Sequence, residues 1–496
     1  MFYKNKKKHK NLTEKNLVFS LFSNGVVSNI DDSVAQANAC KSVYNLNYTD
    51  GALKTGLGIK NLELPASLSD PDTTYTYDFS NLADITDLMF DRWYSSELGG
   101  YYYQIQIVDS NNKIWAIPLY DEDGNFIYLV STRLSHAPSY SCVYRTGNVD
   151  STLYFSEDGM LTLSLSSETL SSNVPEMISS VVHYGKFFGI TKGNHKLVYT
   201  SNLNLTEWNN NNTSVIEFLD NRGAFKKLVS FNDYVYLFRE NGITKISLYS
   251  TTGSDFSFTH LYLASSKIYE NSICVCGGKI LFASRDGMYS FNGNSVKKIM
   301  EKEDIYFKNL DNTNCTAAFL DGKYYLATKC NFDDGKAVGC ESGNYVNNTL
   351  LEIDVETEKV NVLRGVDIRK LMPIDCPYFS KLCACFYNSN KKVIGEVTCS
   401  GKDFATILQK CWKSFETDLG FQGKRKHIKR LLIKSLYDCT VKIESDEEAK
   451  EYAILGDEKE QKLPINVCGS SFSVEFVSNN QNCKICKPMF VFDVVS

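Results

Sequence analysis

The chain has 496 residues and a net charge of −5, so it can hold two or three domains, and its overall charge gives no argument for nucleic-acid binding. With 43% hydrophobic and 22% charged residues, its composition is globular and excludes long low-complexity segments. The 30 tyrosines and 29 phenylalanines favour half-buried strands. Because helical periodicity is scarce, we predict an all-β protein.

Residues 1–60 are predicted to form an extended N-terminal arm that lacks a core of its own. The arm begins with the basic stretch MFYKNKKKHK, which by composition is disordered when alone. Its Lys6, Lys7 and Lys8 are candidates for contact with an acidic partner surface or with DNA. The following LVFSLFSNGVV is too short and too polar for a secretory signal, and no run of about 18 apolar residues predicts a membrane span.

Residues 61–400 repeat one pattern at a period in the mid-forties. Each copy has an apolar strand, a polar turn, an aromatic-rich strand, a glycine-containing turn and a third strand, as in LVSFNDYVYLFRENGITKI (228–246). The first turn recurs at Gly185, Asp233, Gly278 and Gly322, and the second at Gly193, Gly242 and Gly287. Since both turns keep their relative positions, the repeat is structural.

This period, built from about four short antiparallel strands, is typical of a β-propeller blade. One blade has two apolar faces that it cannot cover alone, and radial packing of several blades covers both. Weaker copies at 101–130, 139–165 and 380–398 extend the array. We therefore predict six or seven blades over 61–400, with an insertion at about 330–348.

Residues 401–496 change to alternating strands with turns and are predicted to form a C-terminal β-sandwich. They contain the basic run GKRKHIKR (423–430). If this run is a strand, Lys424, Lys426 and Ile428 face one way and Arg425, His427 and Lys429 the other. The candidate interface or DNA-facing residues here are Lys424, Arg425, Lys426, Lys429 and Arg430. The alternative is a solvated face, or one that meets an acidic neighbour such as ESDEEAKE (444–451).

The sixteen cysteines are interpreted as reduced packing residues of a protein made in a reducing cytoplasm, because many lie inside strand-like runs. CKIC (483–486) is a cysteine pair at a zinc-like spacing, but no second pair stands at ribbon spacing. No phosphate loop or dinucleotide fingerprint occurs. We predict no metal and no cofactor.

Paired carboxylates were considered because propellers also host glycosidases. The aspartates in question all lie at predicted turns: Asp109, Asp121, Asp123, Asp158, Asp233, Asp286 and Asp321. Turns favour aspartate because its side chain accepts hydrogen bonds from nearby backbone amides. We therefore predict no catalytic residues and no enzyme activity.

Three stretches together resemble bacteriophage tail nozzle or hub proteins, the β-propeller proteins of the packaged-DNA stabilisation type. They are FSNGVVSN with NLNYTDGALKTGLG (22–58), ILFASRDGMYSFNG (280–293), and the closing module that begins WKSFETDLGFQGKRKHIKRLLIKS (412–435). The resemblance implies a structural virion protein, made in the host cytoplasm, that forms a ring of six at the head–tail junction or distal to it in the tail. It further implies contacts with portal or adaptor and other tail proteins, a DNA conduit that retains packaged DNA, and non-specific contact with DNA in the lumen.

Two other functions remain open from the sequence. One is a carbohydrate-binding or glycosidase propeller, such as a receptor-binding tip, which requires two facing carboxylates near the axis. The other is a cellular scaffold propeller that binds peptides on one face.

Overall fold

The computed structural model describes residues 14–18, 40–49, 51–65, 74–76, 82–95, 100–119, 130–146, 149–163, 168–193, 196–203, 205, 208–248, 256–301, 310–377, 379–388, 391–403 and 406–495. These residues form β-sheets, antiparallel except for the pairing of Asp403 with Ile59, and two short 3-10 helices, Glu270–Ser272 and Gly339–Ser342. The strands of the N-terminal segment are β1 Glu14–Val18, β2 Cys40–Tyr44, β3 Leu46–Thr49, β4 Ala52–Thr55, β5 Gly58–Asn61, β6 Glu63–Pro65 and β7 Thr74–Thr76.

Six four-stranded sheets follow one another along the chain, each a meander of consecutive strands. The strands of blades 1 to 3 are β8 Ile85–Ser95, β9 Gly100–Asp109, β10 Lys113–Leu119, β11 Val130–Arg133, β12 Tyr140–Thr146, β13 Val149–Ser156, β14 Gly159–Leu163, β15 Glu168–Ser171, β16 Met177–His183, β17 Lys186–Thr191, β18 Leu197–Thr200 and β19 Thr213–Ile216. The strands of blades 4 to 6 are β20 Phe225–Phe231, β21 Tyr234–Arg239, β22 Gly242–Leu248, β23 Phe256–Leu263, β24 Cys274–Cys276, β25 Lys279–Ser284, β26 Gly287–Phe291, β27 Val296–Ile299, β28 Thr316–Leu320, β29 Lys323–Thr328, β30 Thr349–Asp354 and β31 Val360–Arg364.

The burial pattern along each blade strand depends on whether neighbouring blades cover one or both faces of the strand. The second strand of blade 3, KFFGIT, is buried at every position, because neighbouring blades cover both of its faces. The first strand of blade 6, TAAFL, alternates between buried and half-buried positions. All four predicted first turns join the first and second strands of a blade, and Gly185, Asp233 and Gly322 there have φ of 71°, 63° and 76°. The local turn chemistry thus sets the first hairpin of each of these blades.

The blades close into a ring of seven. The first strand of each blade packs against the next blade, either strand against strand or, between blades 4 and 5, through a shared hydrophobic cluster. The last contact joins β8 to β32 Asp367–Asp375 of blade 7. The other strands of this sheet are β33 Ser380–Asn388, β34 Lys391–Thr398, β35 Lys402–Asp403 and β36 Thr406–Ile407. The prediction of an all-β propeller of six or seven blades is confirmed.

Blade 7 is completed by a strand from the other end of the chain. β5 pairs antiparallel with β34, from Gly58 opposite Thr398 to Asn61 opposite Gly395. The ring is therefore closed by hydrogen bonds between an N-terminal and a C-terminal strand. Ile59 of β5 is fully buried and packs in the cluster between blades 6 and 7.

We expect the closing strand to contribute strongly to stability. Ile59→Ala should lower the free energy of unfolding by about 2–5 kcal/mol, because it removes buried methyl groups and leaves a cavity at the ring closure. Lys60→Ala is the matched control, since the Lys60 side chain is 40% exposed and pairs with Glu63 at the surface; its cost should stay below about 1 kcal/mol. Urea unfolding followed by fluorescence measures both, and equal shifts of the two variants would contradict the closure.

The C-terminal domain is a two-sheet sandwich that incorporates N-terminal strands. Its strands are β37 Lys410–Ser414, β38 Arg425–Ser435, β39 Cys439–Ser445, β40 Ala449–Ile454, β41 Gln461–Gly469, β42 Phe472–Ser478 and β43 Lys484–Val495. One sheet has the order β3-β4-β43-β38-β41, with β1 also paired to β43, and the other has the order β2-β37-β42-β39-β40. The strands of the predicted arm that the structure describes are thus paired into both domains, whereas the domain boundaries themselves stay predictions.

The corner between β2 and β3 attaches the sandwich to blade 6. Asn45, at φ 60°, lies in this corner and is fully buried. Its backbone N–H donates to the Val362 carbonyl at 2.8 Å, and its side-chain amide donates to the carbonyls of Arg364 (3.0 Å) and Gln409 (2.7 Å). The outer strand of blade 6 therefore covers one edge of the sandwich.

The predicted insertion lies between β29 and β30 and packs at the same junction. Arg364, 2% exposed, donates from Nη1 to Asp334 Oδ2 at 2.6 Å and from Nη2 to Glu341 Oε2 at 2.9 Å. Its guanidinium also lies 4.2 Å from the centre of the Phe332 ring and 4.6 Å from that of Tyr44. One buried cation thus joins the insertion, blade 6 and the sandwich.

All sixteen cysteines lie in the described residues, and none forms a disulfide bond. Nine are buried and only Cys399 is exposed. Several belong to the hydrophobic clusters, so the prediction that they pack in the core is confirmed for these cysteines, whereas their reduced state stays a prediction. The cellular compartment that it suggested stays a prediction.

Candidate functional site: a basic face of the sandwich

The basic run predicted as a strand forms β38, and a bulge shifts its alternation. The pairing of β38 with both of its neighbours slips between Ile428 and Arg430. Before the bulge Lys426 and Ile428 face the core, as predicted for one side of the strand, and after it Leu431 and Ile433 do. Arg430 therefore continues the outer face in place of Lys429.

The predicted interface residues have different environments. Lys426 is fully buried and donates to the Ser470 carbonyl, and burial lowers the pKa of its ammonium. It therefore does not face a partner. Lys424 is exposed and Arg430 half-buried. Lys6, Lys7 and Lys8 lie outside the described residues.

Two further predicted cations have partners within the chain. Arg425 donates two hydrogen bonds of 2.7 Å to the carboxylate of Glu447, which lies in the acidic segment that the sequence suggested as a neighbour. Lys429 Nζ lies 2.7 Å from Asp493 Oδ2. The acidic neighbour of the basic run is thus found in the same copy of the chain.

Tertiary structure brings together other lysines on the outer face of the same sheet. Lys54 of β4 is directly opposite Lys484 of β43, and Lys434 of β38 is opposite Cys486. Lys462 of β41 is opposite Leu432, two positions before Lys434. Because residues i and i+2 of a strand and directly opposite residues share one face, these four ammonium groups lie on one surface, called here the lysine face.

A surface cavity of about 410 Å³ lies in the lysine face, and Lys54, Lys434, Lys484 and Glu460 contribute to its walls. Three lysine side chains and one carboxylate line this cavity, so its wall carries a net positive charge. The face is therefore suited to phosphate or carboxylate groups.

No local pattern in the sequence indicates these lysines. They occur singly, in ALKT, LLIKS, QKLP and NCKIC. Only Lys434 is close in the chain to the basic run GKRKHIKR. The register of β43 with β4 and β38 is what places them on one surface.

The aspartates considered for catalysis act in turns where the structure describes them. Asp109 Oδ1 accepts from the backbone N–H groups of Asn111 (2.9 Å) and Lys113 (3.0 Å), and its Oδ2 accepts from Trp115 Nε1 at 3.0 Å. Asp321, at φ 50°, forms a hairpin turn. Asp121 and Asp123 lie outside the described residues.

The carboxylate of Asp286 accepts hydrogen bonds from four hydroxyl-bearing side chains. Burial alone would raise the pKa of Asp286, but hydrogen bonds from surrounding hydroxyl groups outweigh it and hold the pKa well below its usual range. The donors are Ser265, Ser266, Ser284 and Tyr289. A carboxylate held ionised in this way orders the turn between β25 and β26 and does not suit a general acid.

Within the described ranges, no group of three or more His, Cys, Asp or Glu side chains could hold a metal ion. Cys483 of the CKIC pair is buried in the sandwich core, while Cys486 lies in the lysine-face cavity. Among the same residues, no helix has both the length and the apolar character required to cross a bilayer.

No family model and no curated protein matches the chain. Among solved structures it is similar to the N-terminal domain of Nup159, at 10% identity and a TM-score of 0.39, over 69% of this chain and 95% of that one. It is also similar to a chain in the complex of S. cerevisiae Dbp5 with Nup159, Gle1, IP6 and ADP, again at 10% identity and a TM-score of 0.39, over 71% and 96% of the two chains. These matches assign no family to the chain.

Proposed function

We propose that this protein is a structural subunit of a bacteriophage tail, of the nozzle or hub type, with no enzymatic role. Copies of the chain form a ring around the path of the DNA, contact the portal or adaptor and other tail proteins, and help to retain packaged DNA. The proposal starts from the likeness of the N-terminal, blade and C-terminal stretches to such proteins. It is supported by the architecture.

The observation that carries the proposal is the interlocking of the two domains. The N-terminal segment pairs first into the sandwich and then closes blade 7, and the buried Arg364 cluster joins blade 6 to the insertion and the sandwich. A body closed in this way resists separation of its domains, as a subunit that holds DNA under pressure must. A flexible two-domain receptor would not need these buried charges.

The glycosidase alternative gains no support from Asp109 and Asp286. Asp109 accepts hydrogen bonds within its own turn, and Asp286 accepts them from its own turn and from Ser265 and Ser266, whereas a glycosidase needs two carboxylates that face a shared substrate. A role in ordering turns therefore explains Asp109 and Asp286 better than a catalytic role does.

Mass spectrometry of purified, DNA-filled particles, with immunogold electron microscopy using antibodies against the full chain, tests the proposal. We expect several copies of the chain per particle and label confined to the tail. A chain that occurs only in the soluble fraction of infected cells, and is missing from purified particles, would refute it.

The lysine face gives this proposal a DNA-contact surface. Its cations lie on the outer face of a sheet, and phosphate contacts of this kind do not depend on base sequence. We expect the triple variant Lys434→Glu, Lys462→Glu and Lys484→Glu to bind duplex DNA more weakly. The slope of log affinity against log salt should also fall by about 0.9 for each lost phosphate contact.

Fluorescence anisotropy with a labelled duplex at several salt concentrations measures both quantities. The matched control is Lys192→Glu, Lys267→Glu and Lys297→Glu, three exposed propeller lysines whose replacement changes net charge by the same amount. An unchanged salt slope in the first variant, or equal loss in the control, would remove the lysine face from the DNA contact.

A further inference from the structure

Exposed large apolar side chains are unevenly distributed over the described residues. Five of them lie on the outer strands of blades 2 to 4 or directly after these strands: Leu170, Val215, Leu219, Phe258 and Leu263. Leu219 is 100% exposed and Val215 and Leu263 are more than half exposed. We call Val215, Leu219, Phe258 and Leu263 the blade-3 rim. Such a concentration is typical of an interaction surface.

The outermost strand of blade 4 supports this interpretation. β23 is eight residues long, FSFTHLYL, and is the last strand of its sheet. It carries no Lys, Arg, Asp, Glu or Pro, which are the residues that usually protect a free strand edge from pairing with another chain. The outer strand of blade 5 does carry such protection, at Lys297 and Lys298.

A second group of exposed apolar side chains lies on the opposite side of the ring. Blade 3 is three blades away from both blade 6 and blade 7, where the sandwich is attached. On that side Ile407 is 44%, Tyr437 40% and Leu455 71% exposed. Tyr437 and Leu436 form the apolar part of a cavity of about 380 Å³ in the sandwich, and Gly456, next to Leu455, is part of the same wall. The rest of the wall is polar: Asp438, Asn480, Gln481 and Asn482. We call this surface the sandwich socket.

The charges beside the two surfaces are complementary. Next to Leu219, the single carboxylate of Asp220 is shared by Arg222 (2.9 Å) and Arg239 (2.5 Å), with His260 at 3.6 Å. Two arginines thus share one carboxylate, and Arg222 is the one of them that reaches the surface. The socket wall contains Asp438, and the exposed Asp457 and Glu458 follow Leu455 along the chain, whereas Glu460 of the same segment lies in the lysine-face cavity.

We propose that the blade-3 rim of one copy binds the sandwich socket of the next copy, with Leu219 inserted into the cavity beside Tyr437 and Leu455. The inference rests on the proposed ring-forming function and names the contact that builds the ring. Two different surfaces on opposite sides of one chain make a heterologous, head-to-tail contact, which closes into a ring when the rotation between copies allows. A small apolar side chain entering a pocket elsewhere on the next copy is a known way to form such contacts.

Two single variants and their mixture test the contact in the full chain. Leu219→Asp removes the inserted side chain but leaves the socket, and Leu455→Asp alters the socket but leaves the rim. Mass photometry and native mass spectrometry should show rings for the wild type and monomers for each variant alone. Mixed in equal amounts, the two variants should form a dimer of one copy each, because one intact contact remains.

Tyr184→Asp is the control, since Tyr184 is 47% exposed in a hairpin turn of blade 3 and lies outside the rim; it should form rings. Thermal unfolding of the separated monomers should be equal for all variants, because the changed side chains are exposed. Rings formed by Leu219→Asp would overturn the contact and leave the proposed function intact. Variants that are monomeric but do not dimerise when mixed would also overturn it, and a wild type that stays monomeric would overturn the contact and the ring together.

Discussion

Replacing Arg364 with methionine is expected to lower the free energy of unfolding by about 3–5 kcal/mol. Methionine retains much of the apolar contact with Phe332 and Tyr44, so the loss reports mainly on charge. Without the guanidinium, Asp334 and Glu341 stay close together with no cation between them. The Glu341 side chain is only 7% exposed, so its ionised form becomes costly.

The matched control is Arg425→Met. Arg425 also makes a two-bond contact with one carboxylate, that of Glu447, but its side chain is 51% exposed. We expect a loss of less than about 1 kcal/mol there. Urea unfolding with a constant m-value gives both differences, and limited proteolysis of Arg364→Met should release the sandwich from the propeller. Equal losses in the two variants would show that the buried cluster does not join the domains.

Stability is expected to fall steeply in alkaline solution. Burial raises the pKa of five core thiols to about 12. They are Cys315, Cys330, Cys385, Cys411 and Cys483. In the unfolded chain a thiol ionises at about pH 8.5. Because the folded-state pKa is raised, the stability linked to each thiol is fully present below that pH and is lost as the pH rises towards 12.

The size of this effect follows from the proton linkage. At one pH unit above its ordinary pKa, each thiol costs about 1.4 kcal/mol, so five together cost about 7 kcal/mol. This is comparable with the entire stability of many domains. Lys410 acts in the opposite direction, because burial lowers its pKa to about 8 and stability linked to it rises with pH up to about 10.5. Burial also lowers the pKa of Lys227 and Lys426, so these three lysines together offset at most three of the five protons.

Urea midpoints between pH 7.5 and 10, measured with a reductant present, should therefore fall with rising pH. Cys385→Ala is the comparison, because it removes one of the five titrating groups and should reduce the slope by about one proton. The cavity left by Cys385→Ala lowers the urea midpoint at every pH. The change in midpoint of this variant is therefore measured relative to its own value at pH 7.5. A midpoint that stays constant up to pH 10 would contradict the assignment of buried, neutral thiols.

The blades of the propeller could be predicted because their signals are local. Asp233 and Gly322 adopt positive φ in tight turns, and the apolar strands beside them are largely buried, with regular alternation in β28. These features involve residues that are only a few positions apart in the chain. They can therefore be recognised in the sequence without knowing how the blades pack together. The seventh blade could not be counted in this way, because its fourth strand, β5, comes from the N-terminal segment.

The candidate site was predicted in part. The acidic neighbour of the basic run was foreseen and is Glu447. Lys426, by contrast, was included among the interface residues and lies in the core, because strand alternation alone does not say which face a sandwich buries. The bulge after Ile428 then changes which side chains follow on the outer face.

By itself, the sequence determined the β class, the blade period, the positions of the hairpin turns and the packing role of many cysteines. These depend on residues that are close in the chain, where turn geometry and side-chain alternation act directly. Only the tertiary structure decided that β5 closes the ring, that Arg364 joins the two domains, and that Lys54 lies opposite Lys484. Each of these depends on the pairing of distant strands, which is set by the packing of the entire core and has no counterpart in any local pattern.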